Sequence, residues 1–197
     1  KIPFTDKHQK NGFSNHKDFN AFRFMDYSLG EFIRSSKKEN YYKNTIFVIL
    51  GDHGFGHPNQ PDLFGALSLH NYHVPLTIFS PGLNIGHREI YDVASGIDLM
   101  PTIMGILSVP YTNTTLGKDL LKTNRQNNYA FMFTASNSTY GLLSNQYYVI
   151  SNIDGAQTVY DLHNKKFVTT KNFEINNMTL LSDGIYHSAR YLRYHNE

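Results

Sequence analysis

From Thr45 to Leu50 every residue is β-branched, aromatic or aliphatic, and the run stops at Gly51-Asp52-His53-Gly54. Apolar side chains on both faces of so short a segment describe a strand covered on each side, as central parallel strands of α/β sheets are. Ligands of such sheets gather beyond the carboxyl ends of the strands. The Asp-His pair therefore stands where a site would be built, and the flanking glycines let the backbone aim both side chains at one point.

A second apolar segment, Val74 to Phe79, is closed by Ser80-Pro81-Gly82. Before the first strand, Phe22, Met25, Leu29, Phe32 and Ile33 fall at three- and four-residue steps. They predict an amphipathic helix from about Asp18, its cap, to Lys38. Ile97, Met100, Ile103, Met104 and Leu107 predict another, with Asp98 capping it and Pro101 in its first turn. Strand and helix alternate as in an α/β sheet. Beyond Thr123 short alternating segments near 129–134, 140–143, 147–151 and 159–162 read as an antiparallel meander. Leu180, Leu181, Ile185, Ala189 and Leu192 predict a closing helix. The expected division is 1–122 for the α/β core and 123–197 for the small sheet with its helix.

Charge narrows the function classes. Lys and Arg number 18 against 16 Asp and Glu, a formal net charge of +2 among 197 residues, which argues against a groove reader of nucleic acid. No apolar run approaches the roughly 20 residues of a bilayer span. Cysteine is absent, so a metal here would have to be held by His, Asp, Glu or backbone oxygen.

Asp52 and His53 offer half of a mixed oxygen and nitrogen shell, suited to Zn²⁺ or Mn²⁺ more than to Ca²⁺ or Mg²⁺. The alternative is a purely structural turn, with Asp52 accepting from backbone donors and His53 on the surface. His57, His70 and His73 follow within a short stretch and are candidates for the same site, or a solvated cluster. A Walker A loop, a GxSxG elbow and an HExxH helix are all missing.

The string Asn44 to Gly54, NTIFVILGDHG, resembles the late metal-binding motif of the alkaline phosphatase superfamily, in its sulfatase and lipoteichoic acid synthase-like branch. Met25 to Ile33 (MDYSLGEFI), His73 to Gly82 (HVPLTIFSPG), Gly96 to Ile103 (GIDLMPTI) and Gly117 to Leu121 (GKDLL) are similar to further family segments, in family order. The resemblance implies an alkaline-phosphatase-like, mostly parallel sheet flanked by helices, with a C-terminal antiparallel meander and closing helix, the domain being incomplete. It makes Asp52 and His53 metal ligands and His57 and His73 substrate-binding groups. The ion implied is Mn²⁺, Zn²⁺ or Mg²⁺, or Ca²⁺ in a sulfatase.

No residue here matches the family's nucleophile, so none is assigned as catalytic and the nucleophile is expected upstream. The activity implied is phosphoryl or phosphoglycerol transfer through a covalent phospho-enzyme, with sulfuric ester hydrolysis as the first alternative. A metal-free α/β binding or scaffold domain is the second. The expected partner is an anionic phosphate or sulfate ester, not nucleic acid. The parent protein is expected outside the cytoplasm and tethered to the membrane, and this portion, inactive alone, to oligomerise or to need a companion segment.

Overall fold

In the computed structural model, which describes residues 16–54, 64–122, 128–134 and 138–195, helix α1 spans His16–Ser36. It begins two residues before Asp18, which lies in the first turn, where its charge is favoured by the exposed N–H groups. A 3-10 turn, Tyr42–Asn44, leads into strand β1, Phe47–Leu50. After the short helix α2, Leu69–Tyr72, strand β2 covers Leu76–Phe79.

The two strands pair antiparallel, Phe47 opposite Phe79 and Leu50 opposite Leu76, which corrects the parallel direction expected of them. An apolar run carries no information on strand direction, which is why composition could not decide it. Nor is β1 covered along its whole length: Phe47 is buried while Leu50 is 50 % exposed. Phe47 centres an aromatic cluster, stacked on Phe79 at 4.8 Å and edge-on to Phe32 at 6.3 Å. Much of the predicted stripe on α1, including Phe22, Met25 and Phe32, is exposed among the described residues.

The chain divides into two compact units, one ending at His87 and one beginning at Arg88. This boundary lies earlier than the expected 122/123. The Asn145 side chain accounts for part of the difference, since it donates to Asp92 at 2.9 Å and accepts from the Val93 N–H at 2.7 Å, joining that segment to the meander.

In the second unit a 3-10 turn, Gly96–Asp98, continues into α3, Leu99–Leu107. Ser95 rather than Asp98 is the cap: its side chain accepts from the Asp98 N–H, while the Asp98 carboxylate accepts from the Ser95 N–H. The other Asp98 oxygen accepts the Lys118 N–H at 2.7 Å, and the Thr102 hydroxyl accepts the Leu120 N–H at 2.9 Å. A side chain on Gly117 would strike the Ile97 carbonyl. The segments 96–103 and 117–121, separate in sequence, thus form one clip.

Strands β3, Ala130–Thr134, β4, Thr139–Leu143, β5, Tyr147–Asn152, β6, Gln157–Asp161, and β7, Lys166–Val168, form an antiparallel meander in sequence order. Sequence periodicity missed β7, which has only three residues. Gly155, at φ +90°, makes the tight turn between β5 and β6. Helix α4, Phe173–His195, is capped by Asn172, whose side chain accepts the Ile175 N–H at 2.8 Å. Its Ile175 and Met178 are buried with Leu142, Tyr147, Val149 and Val159 in the main core.

The buried face of α4 is Ile175, Met178, Ser182 and Ile185, whereas Leu180 and Leu192 are exposed. Polar groups line part of this interface: Tyr140 donates to Asp183 at 2.8 Å, and Gln157 donates to Ser151 and Thr179. Burial and the Asp183 hydrogen bond push the Tyr140 hydroxyl up to about 12. Strand and helix alternate up to α3, and the meander and closing helix follow as expected, but both sheets among the described residues are antiparallel.

Candidate metal site

Strand β1 ends at Leu50, and the Gly51 N–H still reaches the Pro75 carbonyl at 3.3 Å. The chain then turns out of the strand pair, placing Asp52 and His53 side by side beyond its carboxyl end. Both are open to solvent, with side chains 91 % and 72 % exposed.

The Asp52 Oδ1 atom accepts the His53 backbone N–H at 2.9 Å, the local bond that a structural turn predicts. It does not exhaust the pair. The His53 Nδ1 atom lies 2.8 Å from the Gly54 carbonyl oxygen. A carbonyl only accepts, so Nδ1 is the donor in this bond, and in the neutral ring that leaves the lone pair on Nε2. That Nε2 atom is 3.9 Å from Asp52 Oδ1. Among the described residues neither Nε2 nor Asp52 Oδ2 makes a hydrogen bond.

The pair fits a divalent ion. Two donors each about 2.1 Å from one tetrahedral ion stand about 3.4 Å apart, so the pair, at 3.9 Å, has to close by roughly half an ångström to hold one. A carboxylate and an imidazole whose far nitrogen donates to a carbonyl are also the usual chemistry of such ligands. Two donors are half of a shell: no group of three or more His, Asp or Glu side chains able to hold a metal exists among the described residues.

Of the other candidates, His57 lies outside the described residues. His70 and His73 have exposed side chains, and it is their backbones that meet the turn. The Gly54 N–H donates to the Asn71 carbonyl at 2.8 Å, and a Cβ on Gly54 would lie 1.9 Å from the His70 oxygen and 3.0 Å from the His73 oxygen. Reading the histidines by residue type missed this backbone seat; the glycine directly after His53 was its signal.

The profile of the sulfatase family matches residues 7–109, about half of the chain. Lipoteichoic acid synthase 1 of Bacillus subtilis (strain 168) is 30 % identical over 125 residues, 57 % of this chain and 19 % of that protein. Arylsulfatase K of Bos taurus is 28 % identical over 182 residues, 81 % of this chain and 32 % of that protein. The chain thus spans a third or less of the length of these relatives. A solved structure of an alkaline phosphatase superfamily protein from Vibrio parahaemolyticus shares the fold. Its TM-score is 0.69 at 23 % identity, over 89 % of this chain and 42 % of that one.

Proposed function

Because the chain belongs to the sulfatase family, we propose that Asp52 and His53 are two ligands of a divalent metal ion in a phosphoryl or phosphoglycerol head-group transferase. The nucleophile of this enzyme lies outside the chain. The observation that carries the reading is the Asp52–His53 pair itself, with Nδ1 against the Gly54 carbonyl and Nε2 3.9 Å from the carboxylate at a strand's carboxyl end. The mixed donor set favours Mn²⁺ or Zn²⁺ over Mg²⁺.

When bound, the ion supplies a lowered pKa for the attacking hydroxyl and charge neutralisation at the phosphoryl oxygens. Attack by that hydroxyl on phosphorus breaks the ester bond and leaves the phosphoryl group on the enzyme, until an acceptor alcohol or water takes it. His73, exposed at the end of α2, and His57 are the proposed contacts to the anionic ester. The likeness to lipoteichoic acid synthase 1 supports the transferase reading and a membrane-tethered parent outside the cytoplasm. No helix among the described residues is long and apolar enough to cross a membrane. The exposed apolar side chains of α1 suit a companion segment or a second copy, which sedimentation of this chain with and without the rest of its parent would separate.

A second reading, sulfuric ester hydrolysis with Ca²⁺, is favoured by the likeness to arylsulfatase K, which extends over 81 % of the chain. Turnover by the full-length protein separates the two. Release of product from a glycerophospholipid or phosphodiester, abolished in Asp52→Ala, supports the transferase; turnover of an aryl sulfate alone supports the sulfatase. Undiminished turnover in Asp52→Ala would refute the metal-ligand role in both readings, and a full-length protein with neither turnover nor bound metal would leave a metal-free domain.

A further inference from the structure

Gly54 touches two things at once. Its N–H donates to the Asn71 carbonyl at 2.8 Å, and its α-carbon is pressed so closely on the end of α2 that an added Cβ would lie 1.9 Å from the His70 oxygen and 2.9 Å from the His70 carbonyl carbon. Those are backbone atoms, which cannot rotate aside. Its own carbonyl receives the His53 Nδ1–H at 2.8 Å. The residue therefore links a fixed backbone surface to the imidazole through its own N–H, α-carbon and carbonyl.

We propose that Gly54 is the positioning residue for His53: seated on the carbonyls of α2, it holds its own carbonyl where His53 Nδ1 must donate, so that Nε2 presents its lone pair toward Asp52. This rests on the reading of Asp52 and His53 as metal ligands. It goes beyond that reading in assigning the tautomer to a backbone seat provided by residues 70–73. A carbonyl partner behind a ligating histidine fixes both the ring's orientation and its tautomer. Here the His53 side chain is largely exposed, so no packed wall does that job, and the hydrogen bond must.

The test is long-range ¹H–¹⁵N correlation of the ¹⁵N-labelled chain at about pH 8, above the ordinary imidazole range, in the absence of metal. The proposal expects His53 protonated on Nδ1. It also expects the Gly54 amide to exchange more slowly than the Asp52 and His53 amides. In Gly54→Ala the Nδ1–H signature is lost and Mn²⁺ affinity, read by paramagnetic broadening at Asp52, falls about 10- to 100-fold. Gly96→Ala, where an added Cβ meets nothing within 4 Å, keeps the signature and serves as the control.

An unchanged tautomer in Gly54→Ala overturns the proposal. Should that variant fail to fold, the native protein still decides: His53 protonated on Nε2, or a fast-exchanging Gly54 amide, overturns it. A native chain that shows the Nδ1–H tautomer, in a full-length protein that binds neither Mn²⁺ nor Zn²⁺, sinks the metal reading and leaves the positioning intact.

Discussion

Replacing Asp98 with alanine removes one carboxylate that serves two backbone amides at once, Ser95 N–H at 2.8 Å and Lys118 N–H at 2.7 Å. Hydrogen bonds to a charged group contribute about 1.5–3 kcal/mol each. Lys118 is exposed and Ser95 only half-buried, so water replaces part of what is lost and the lower end of that range applies. Two bonds at roughly 1.5 kcal/mol give a loss of about 3 kcal/mol for Asp98→Ala. Asp98→Asn keeps one acceptor oxygen and turns an amide donor toward the other N–H, for a loss of about 2 kcal/mol by the same reasoning. Urea denaturation measures both, with the slope unchanged if only the native clip is broken. Amide exchange at Ser95 and Lys118 localises the effect. A loss under 1 kcal/mol in Asp98→Ala, or exchange at both amides as slow as in the native protein, would refute the clip.

Met178 is fully buried in the core under α4, so Met178→Ala should lower stability by about 2–5 kcal/mol by denaturation, whereas Leu180→Ala, on the exposed face, should change it by less than about 0.5 kcal/mol. Tyr140 keeps its proton to about pH 12 because burial and Asp183 disfavour the phenolate. A raised folded value means its stabilisation is complete below the unfolded value near 10 and fades between there and about 12; Tyr140→Phe should flatten the alkaline limb of a stability profile. At the acid end, the Asn164 backbone N–H, then its side chain, holds the Asp161 carboxyl below its usual value. That contribution is present above about pH 4 and is lost as pH falls further, a loss that Asp161→Asn should remove from the same profile.

Sequence and structure agree where one residue type decides the outcome. The apolar run ending at Gly51-Asp52-His53-Gly54 located the strand end, because glycine and the polarity break mark a strand terminus without reference to tertiary contacts. Pro101 fell in a first turn for the same reason. The meander was legible from its alternation. What escaped depended on partners distant in sequence. The direction of β1 against β2 is not written in composition. Helix α4 turns Ser182 toward the sheet and uses Thr179 for a hydrogen bond to Gln157; a stripe drawn through its leucines therefore chose the wrong face. Asp98 looked like a helix cap, yet its second oxygen is spent on Lys118, a partner twenty residues away. The segments 96–103 and 117–121 are thus engaged in holding the fold, while the pair proposed for chemistry lies open to solvent.

Metal content of the full-length protein, measured by elemental analysis and by titration with Mn²⁺ and Zn²⁺, reaches the central claim most directly. Both side chains are exposed, so Asp52→Ala and His53→Ala should each fold with stability within about 0.5 kcal/mol of native and each lose the bound ion. A protein in which both variants retain it at native affinity would contradict the account.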